Sequence, residues 1–386
     1  MKIGIEATAL ARKQRTGVDF YTYTLVKEMA SLDKDNEFLL PYLYFYSKPK
    51  PDLGFEGINN VFPKRIGFMP GKIYNGLFRY LLAPPLDLLG MARAEVYLFP
   101  NFVRWPLLFT RKSAVIVYDL SFIQSTSTSA SRLRSYLTKF VPKAVNKAQI
   151  VVTISENSKK ELVETYGTNP EKIVVATPGV DLDFFYPRTA DESKEILAKY
   201  GIADKSYILF TGTIEPRKNL TGLLKAYELL DAKISKKFPL VLAGGKGWLD
   251  EEIHQTIVRL RINGLSVIQT GYLPYEELPV LYSRASVFVF PSFYEGFGMP
   301  PLEAMACGTP AITSNNSSLP EVMGDAGIMV DARDNGALTQ AITEVLTDEV
   351  KAARMSKLGI QRAKLFSWQK SARIVLDALE KLGGTL

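Results

Sequence analysis

The feature that most constrains this chain is a recurring alternation. Short apolar, β-rich runs are separated by helical stretches along nearly its whole length. In the first half the runs are Lys2–Glu6, Phe38–Tyr46, Glu95–Phe99, Ala114–Tyr118, Ile150–Thr153 and Ile173–Ala176. In the second they are Tyr207–Phe210, Leu240–Ala243, Val267–Thr270, Val287–Phe290, Ala311–Thr313 and Ile328–Val330. Amphipathic helices such as Leu220–Leu230 and Glu276–Ser283 fall between them. Continuously apolar strands alternating with helices belong to parallel sheets covered on both faces. The expected fold class is therefore α/β, with two doubly wound, Rossmann-like domains. Turn residues interrupt the pattern at Pro178–Pro187. We expect one domain over residues 1–185, a second over 186–366, and a last helix over 367–386 that crosses back to the first. A length of 386 residues suits two to three domains.

Composition narrows the chemistry. A chain 47% hydrophobic and 23% charged is neither disordered, collagenous nor a coiled coil. Its one cysteine, Cys307, rules out an intrachain disulfide and a cysteine zinc cluster. Its one histidine, His254, rules out sites that need several. The opening MKIGIE reads as a strand, not a signal peptide, and no run of about 18 apolar residues suggests a membrane-spanning helix. A cytoplasmic protein is expected. Residues 1–190 hold 25 Lys+Arg against 17 Asp+Glu, whereas residues 191–386 hold 22 against 23. The basic half suits a polyanion, an anionic lipid surface or a phosphate-bearing substrate.

The most informative string is Val287–Thr313, VFVFPSFYEGFGMPPLEAMACGTPAIT. A strand ends at Pro291, a loop carries Gly296 and Gly298, and Pro300-Pro301 stand where proline starts helices. The helix runs to about Cys307 and ends at Gly308. A helix N-terminus after a glycine loop offers free N–H groups and a positive dipole end to a phosphate. Glu295 lies in the loop and Glu303 in the first turn, both able to point into the space above the strand ends and accept hydrogen bonds from vicinal hydroxyls. A second string, LFTGTIEPRKN at Leu209–Asn219, ends a strand at Gly212 and places Arg217 and Lys218 before a helix. Two adjacent cations at a strand end can clamp a diphosphate.

These strings resemble the glycosyltransferases of the large retaining family 4, which have the GT-B fold of two Rossmann-like domains facing across a cleft. Glu295, Gly296, Phe297, Gly298, Met299 and Glu303 match the family's E-x7-E signature position by position. The resemblance implies that Glu295 approaches the donor sugar, that Glu303 holds the nucleotide ribose, and that the loop between them meets sugar and phosphates through its backbone. Gly212, Arg217 and Lys218 resemble the family's phosphate loop; Thr213 stands where the family often has arginine. Gly17, in Thr16-Gly17-Val18, resembles the glycine loop that approaches the diphosphate from the first domain. Gly271-Tyr272-Leu273 resembles the stretch whose backbone holds the base, so Tyr272 and Leu273 join the donor-binding set. Gly244–Trp248 reads as a turn near the nucleotide and is not a Walker A loop.

On the acceptor side the expected residues are Asn101, Tyr118 and Asp119. Tyr118-Asp119-Leu120 stands where family members commonly carry His-Asp-Leu, so an imidazole base is replaced by a phenol. Asp181-x-Asp183 has the look of a metal motif, but the matching family stretch is structural and no metal or other cofactor is assigned. The implied reaction moves a sugar, leaning to mannose from GDP-mannose, from a nucleoside diphosphate donor to a hydroxyl of a glycan or lipid-linked glycan, with configuration retained. Glu295, Arg217 and Lys218 would carry catalysis. The alternatives are a glycoside hydrolase, a nucleotide-sugar epimerase of the same fold, and an inactive nucleotide-sugar-binding subunit of a polysaccharide assembly complex. No nucleic-acid partner is expected.

The segment Ser131–Ala148 carries Arg132, Arg134, Lys139, Lys143 and Lys147 and no acidic residue, with Leu133, Leu137, Phe140, Ala144 and Ala148 at helical spacing. Upstream, Ile73–Met91 is apolar, with Tyr74, Leu77, Phe78, Tyr80, Leu81 and Leu82 before Pro84-Pro85. Both helices can simply pack on the first sheet. The sharper expectation is peripheral docking on an anionic membrane, the inner face of the plasma membrane.

Overall fold

The computed structural model describes all residues except 13–15, 46–49, 69, 81, 90–92, 125–130, 203–205, 246, 248–250 and 385–386. Leu81 and Met91 of the apolar stretch, and Lys246 and Trp248 of the GGKGW string, lie outside the described residues. The chain forms two compact units. One is built from residues within Met1–Gly179 together with the final helix Trp368–Gly383, the other from Val180–Ser367.

The first unit contains β1 (Lys2–Ile5), β2 (Glu37–Leu43), β3 (Val61–Ile66), β4 (Val96–Phe99), β5 (Ser113–Ile116), β6 (Ile150–Thr153) and β7 (Ile173–Val175). They pair in the order β3-β2-β1-β4-β5-β6-β7, every pairing parallel. The second unit contains β8 (Ile208–Thr211), β9 (Leu240–Ala243), β10 (Val267–Gly271), β11 (Val287–Phe290), β12 (Ala311–Ser314) and β13 (Ile328–Val330). Their order is β10-β9-β8-β11-β12-β13, again all parallel. Strands such as β4, β5, β8 and β11 are buried at every residue, as helices on both faces require.

Strand order reverses between β1 and β4 in one sheet and between β8 and β11 in the other. Ligands of doubly wound sheets bind at such switch points, outside the carboxyl ends of the strands. The loops after β8 and β11 are those that carry Arg217, Lys218 and Glu295.

The sequence pattern missed β3. Its VFPKRI contains Pro63 and two cations, which mask the apolar signal. The strand lies at the sheet edge, where a residue without an N–H donor is tolerated. In the same unit, the helix Gly17–Leu32 begins at a capping box in which the Asp19 carboxylate accepts the Thr16 N–H at 2.8 Å. Its buried face, with Leu25, Val26 and Met29, packs against the final helix, whose Ala372, Val375, Leu376 and Leu379 are fully buried.

Candidate active site

The loop after β8 turns through a short 3-10 segment, Pro216–Lys218, and Asn219 follows in the left-handed conformation at φ 54°. Asparagine tolerates that conformation because its amide bonds locally. Here Asn219 caps the helix Leu220–Glu228 by accepting the Gly222 N–H at 3.2 Å. Its Nδ2 donates to the Pro291 carbonyl at 3.1 Å and the Ala332 carbonyl at 2.6 Å. Asn219 therefore ties the loop after β8 to the end of β11.

That tie brings three expected site residues together. Lys218 Nζ donates to Glu295 Oε1 at 2.7 Å, and Arg217 meets Glu295 Oε2 at 2.9 Å. Arg217 also bonds Glu215 Oε1, at 2.7 and 2.9 Å, and the Tyr294 carbonyl, at 2.7 Å. Lys218, Glu215 and Glu295 are buried. Burial alone would push the Glu295 carboxyl up, but the Lys218 ammonium and Arg217 guanidinium outweigh it and hold the carboxyl below its ordinary range. Burial also draws the Lys218 ammonium down, and Glu295 offsets this only in part. Two cations and two carboxylates thus form a buried, nearly neutral knot at the switch point.

The loop after β11 is fixed by serines. Ser317 Oγ accepts the Glu295 N–H at 3.0 Å, and Ser318 Oγ donates to the carbonyls of Glu295 and Phe297 at 2.8 and 2.6 Å. The Phe297 ring is buried against Phe366, so this residue faces the site only with its backbone. Gly296 is buried and Met299 half-buried. Gly298, at φ +126°, starts the helix Met299–Ala306; a Cβ there would lie 2.9 Å from Leu319 Cδ2. The prolines occupy the second and third helical positions, so Glu303 is the fifth helical residue, just past the first turn where it was expected. Its charge therefore does not complement the first turn.

Both glutamates are buried. Glu303 Oε2 accepts the Tyr282 hydroxyl at 2.9 Å. Burial raises its carboxyl to about 7, with the Tyr282 hydrogen bond opposing the rise.

Around this centre, Gly212 has φ +136° and Thr213 is exposed. Gly244 of the GGKGW string lies so close to the loop that a Cβ would fall 1.9 Å from the Gly212 carbonyl oxygen. The Tyr272 side chain is exposed and Leu273 is buried. The Asp181 carboxylate accepts the N–H groups of Asp183 and Phe184 at 3.0 and 3.2 Å, a turn cap.

In the first unit, Gly17 is exposed at the start of its helix with nothing near its absent Cβ. Asn101 and Asp119 are half-buried after β4 and β5, and Asp119 Oδ1 accepts the Ser121 N–H at 2.9 Å. Tyr118, the third residue expected on the acceptor side, follows β5. It is buried, its hydroxyl donates to the Pro100 carbonyl at 2.8 Å, and its ring packs on Tyr21 and Phe102. Burial raises the Tyr118 hydroxyl well above the ordinary tyrosine value.

Both units resemble known protein families. Residues 15–184 match the family described as Glycosyltransferase Family 4, and residues 192–362 the one described as Glycosyl transferases group 1. The O-antigen chain mannosyltransferase B of Escherichia coli is 36% identical over 287 residues, covering 74% of each chain. This chain belongs to the family 4 glycosyltransferases. The E. coli serotype-specific mannosyltransferase WbdA is 33% identical over 241 residues, which cover 61% of this chain and 29% of that longer protein. Among solved structures, sucrose-phosphate synthase from Thermosynechococcus elongatus superposes with a TM-score of 0.77 at 19% identity, covering 100% of both chains. Anabaena HepE, solved with UDP and glucose, gives 0.74 at 18% identity, covering 99% of this chain and 100% of its own. At such identities these likenesses speak for the fold, which is GT-B.

Sequence reasoning missed four residues of this glycosyltransferase that hold the others: Glu215, Asn219, Tyr282 and Ser318. Glu215 and Asn219 stand in the string Leu209–Asn219, but nothing local says what their polar groups reach. Tyr282 and Ser318 carried no signal at all.

Proposed function

We propose that this chain transfers mannose from GDP-mannose, with anomeric configuration retained, to a hydroxyl of a glycan or lipid-linked glycan in surface polysaccharide synthesis. The observation that carries this reading is the knot of Arg217, Lys218 and Glu295 at the β8/β11 switch point. Negative charge develops on the departing diphosphate, and prepositioned cations there lower the barrier. In this reading the donor diphosphate takes over Arg217 and Lys218, Glu295 turns to the sugar, and Glu303 accepts the ribose hydroxyls. Backbone groups of Gly212, Thr213, Gly271–Leu273 and Gly296–Met299 line the nucleotide sugar. Asn101 and Asp119 belong to the acceptor side. The two cations supply the countercharge without a metal ion. The mannosyltransferase relatives support the choice of sugar.

We further propose that the first unit docks on anionic lipid. The basic helix Ser131–Lys147 packs through Phe140 on Phe78 of the helix Gly71–Arg79, and Arg132, Lys139, Lys143 and Lys147 remain exposed. Ile73, Tyr80, Leu82 and Leu133 are exposed too, Tyr80 by 78%. Among the described residues no helix is long and apolar enough to cross a membrane.

A donor panel of GDP-mannose, dTDP-rhamnose and UDP-sugars, offered with a lipid-linked glycan acceptor in EDTA, tests the reaction. The expected result is GDP release that requires acceptor, and a product linkage with the donor's anomeric configuration by NMR. An inverted linkage, or no diphosphate released from any donor, overturns it.

A further inference from the structure

Glu303 is buried on the helix Met299–Ala306, and among the described residues the Tyr282 hydroxyl is its side-chain hydrogen-bond partner. The Tyr282 hydroxyl, on the helix Leu278–Arg284, donates to Oε2 at 2.9 Å and lies 2.8 Å from Thr211 Oγ1. Thr211 is the last residue of β8, next to Gly212 of the phosphate loop. The Tyr282 ring is buried edge-on against Phe288 of β11, with centroids 5.5 Å apart, and its carbonyl accepts the Thr309 hydroxyl. Its hydroxyl is therefore fixed in place before any ligand arrives. We propose that Tyr282 is a positioning residue that orients Glu303 for the nucleotide ribose, and that Thr211 ties this pair to the loop beneath the diphosphate. The inference rests on the reading of Glu303 as the ribose carboxylate.

Chain geometry and chemistry agree on the direction of the effect. With Tyr282 donating to Glu303, its oxygen is left to accept from Thr211, so the two hydrogen bonds run in one sense and strengthen each other. Both favour the ionised carboxylate, the form that accepts two ribose hydroxyls at once. Burial acts the other way and leaves Glu303 titrating at about 7. The titratable groups that interact with it are Tyr275 and Tyr282 on one side and Cys307 on the other, each held protonated by burial. The neighbouring strands β11 and β12 and the helices Leu319–Met323 and Glu349–Ala363 bring no cation into interaction with it among the described residues. Tyr282 is thus the group that opposes protonation.

GDP binding is measured calorimetrically from pH 6 to 9 for the wild type, Tyr282→Phe, Thr211→Val and Glu303→Gln. 2′,3′-Dideoxy-GDP serves as the control for titration of the phosphates themselves. In the wild type, GDP affinity relative to the dideoxy compound should rise with pH across about 7. Tyr282→Phe keeps the ring and the fold, and should move that midpoint up by about one pH unit. GDP should then bind several-fold more weakly at pH 7 but nearly as the wild type at pH 9. Thr211→Val should move the midpoint the same way by less. In turnover, the KM for donor should rise with kcat nearly unchanged. A uniform loss of affinity with an unmoved midpoint in both variants overturns the inference and leaves Glu303 in place. A Glu303→Gln protein with wild-type affinity and profile overturns the ribose assignment itself, and the inference with it.

Discussion

Arg217 and Lys218 do not wait as free cations. Each is neutralised by a carboxylate within 3 Å, Arg217 by Glu215 and Glu295, Lys218 by Glu295. In the proposed reading a donor diphosphate competes with Glu295 for both. Glu295→Gln removes one negative charge from the knot while keeping its shape. At low salt it should tighten GDP binding by about tenfold, an effect of the size expected for one charge at a partly screened site. Turnover should fall by about a hundredfold, since the contact that strengthens in the transition state is lost. Calorimetry with GDP and steady-state kinetics on the same preparation check the pair of effects. Parallel losses in both would show that Glu295 holds the cations in place instead of opposing the diphosphate. Glu295 and the two cations were legible as candidate site residues because the glycine loop and the strand-end turn announce them. Their mutual pairing was not, because Lys218 and Glu295 are 77 residues apart.

Among elements, the loop Glu295–Gly298 and the helix it starts show how backbone requirements are written locally. Gly298 combines a positive φ with a neighbour that would press on a Cβ. Gly298→Ala should cost about 1–3 kcal/mol of stability through backbone strain. By displacing the helix start under the phosphates it should lower kcat/KM at least tenfold. Thermal melts and kinetics together test this. Pairing it with Leu319→Ala relieves the contact and not the dihedral, so most of the loss should persist. The glycines and prolines of this string marked the turn in the sequence. They did not mark the starting residue, and the helix begins at Met299, which places Glu303 beside Tyr282. The edge strand β3 was lost for a related reason. Its proline and cations are tolerated only because no strand follows on that side.

For the molecule as a whole, the uneven charge has a structural counterpart. The basic helix Ser131–Lys147 packs inward through Phe140, Ala144 and Val145 while most of its cations face out. Each cation near an anionic surface contributes about 1 kcal/mol, so in the proposed docking the exposed four would give reversible, salt-sensitive attachment. In a sedimentation assay, the protein should pellet with phosphatidylglycerol vesicles at low salt and return to the supernatant at high salt. Protein that stays in solution at low salt would assign the basic half to a soluble phosphate-bearing acceptor.

The sequence by itself determined two α/β doubly wound domains, because apolar runs, helical periodicity and turn chemistry are properties of neighbouring residues. It also marked the loops at the carboxyl ends of β8 and β11, since glycine, proline and paired cations there meet backbone needs on the spot. Tertiary structure alone decided which side chains the site leaves free. It spent the Tyr118 hydroxyl on the Pro100 carbonyl. It also paired Lys218 with Glu295, and chose Tyr282 out of 19 tyrosines to hold Glu303. Those choices depend on burial and on partners brought together from distant positions, and short-range pattern carries neither.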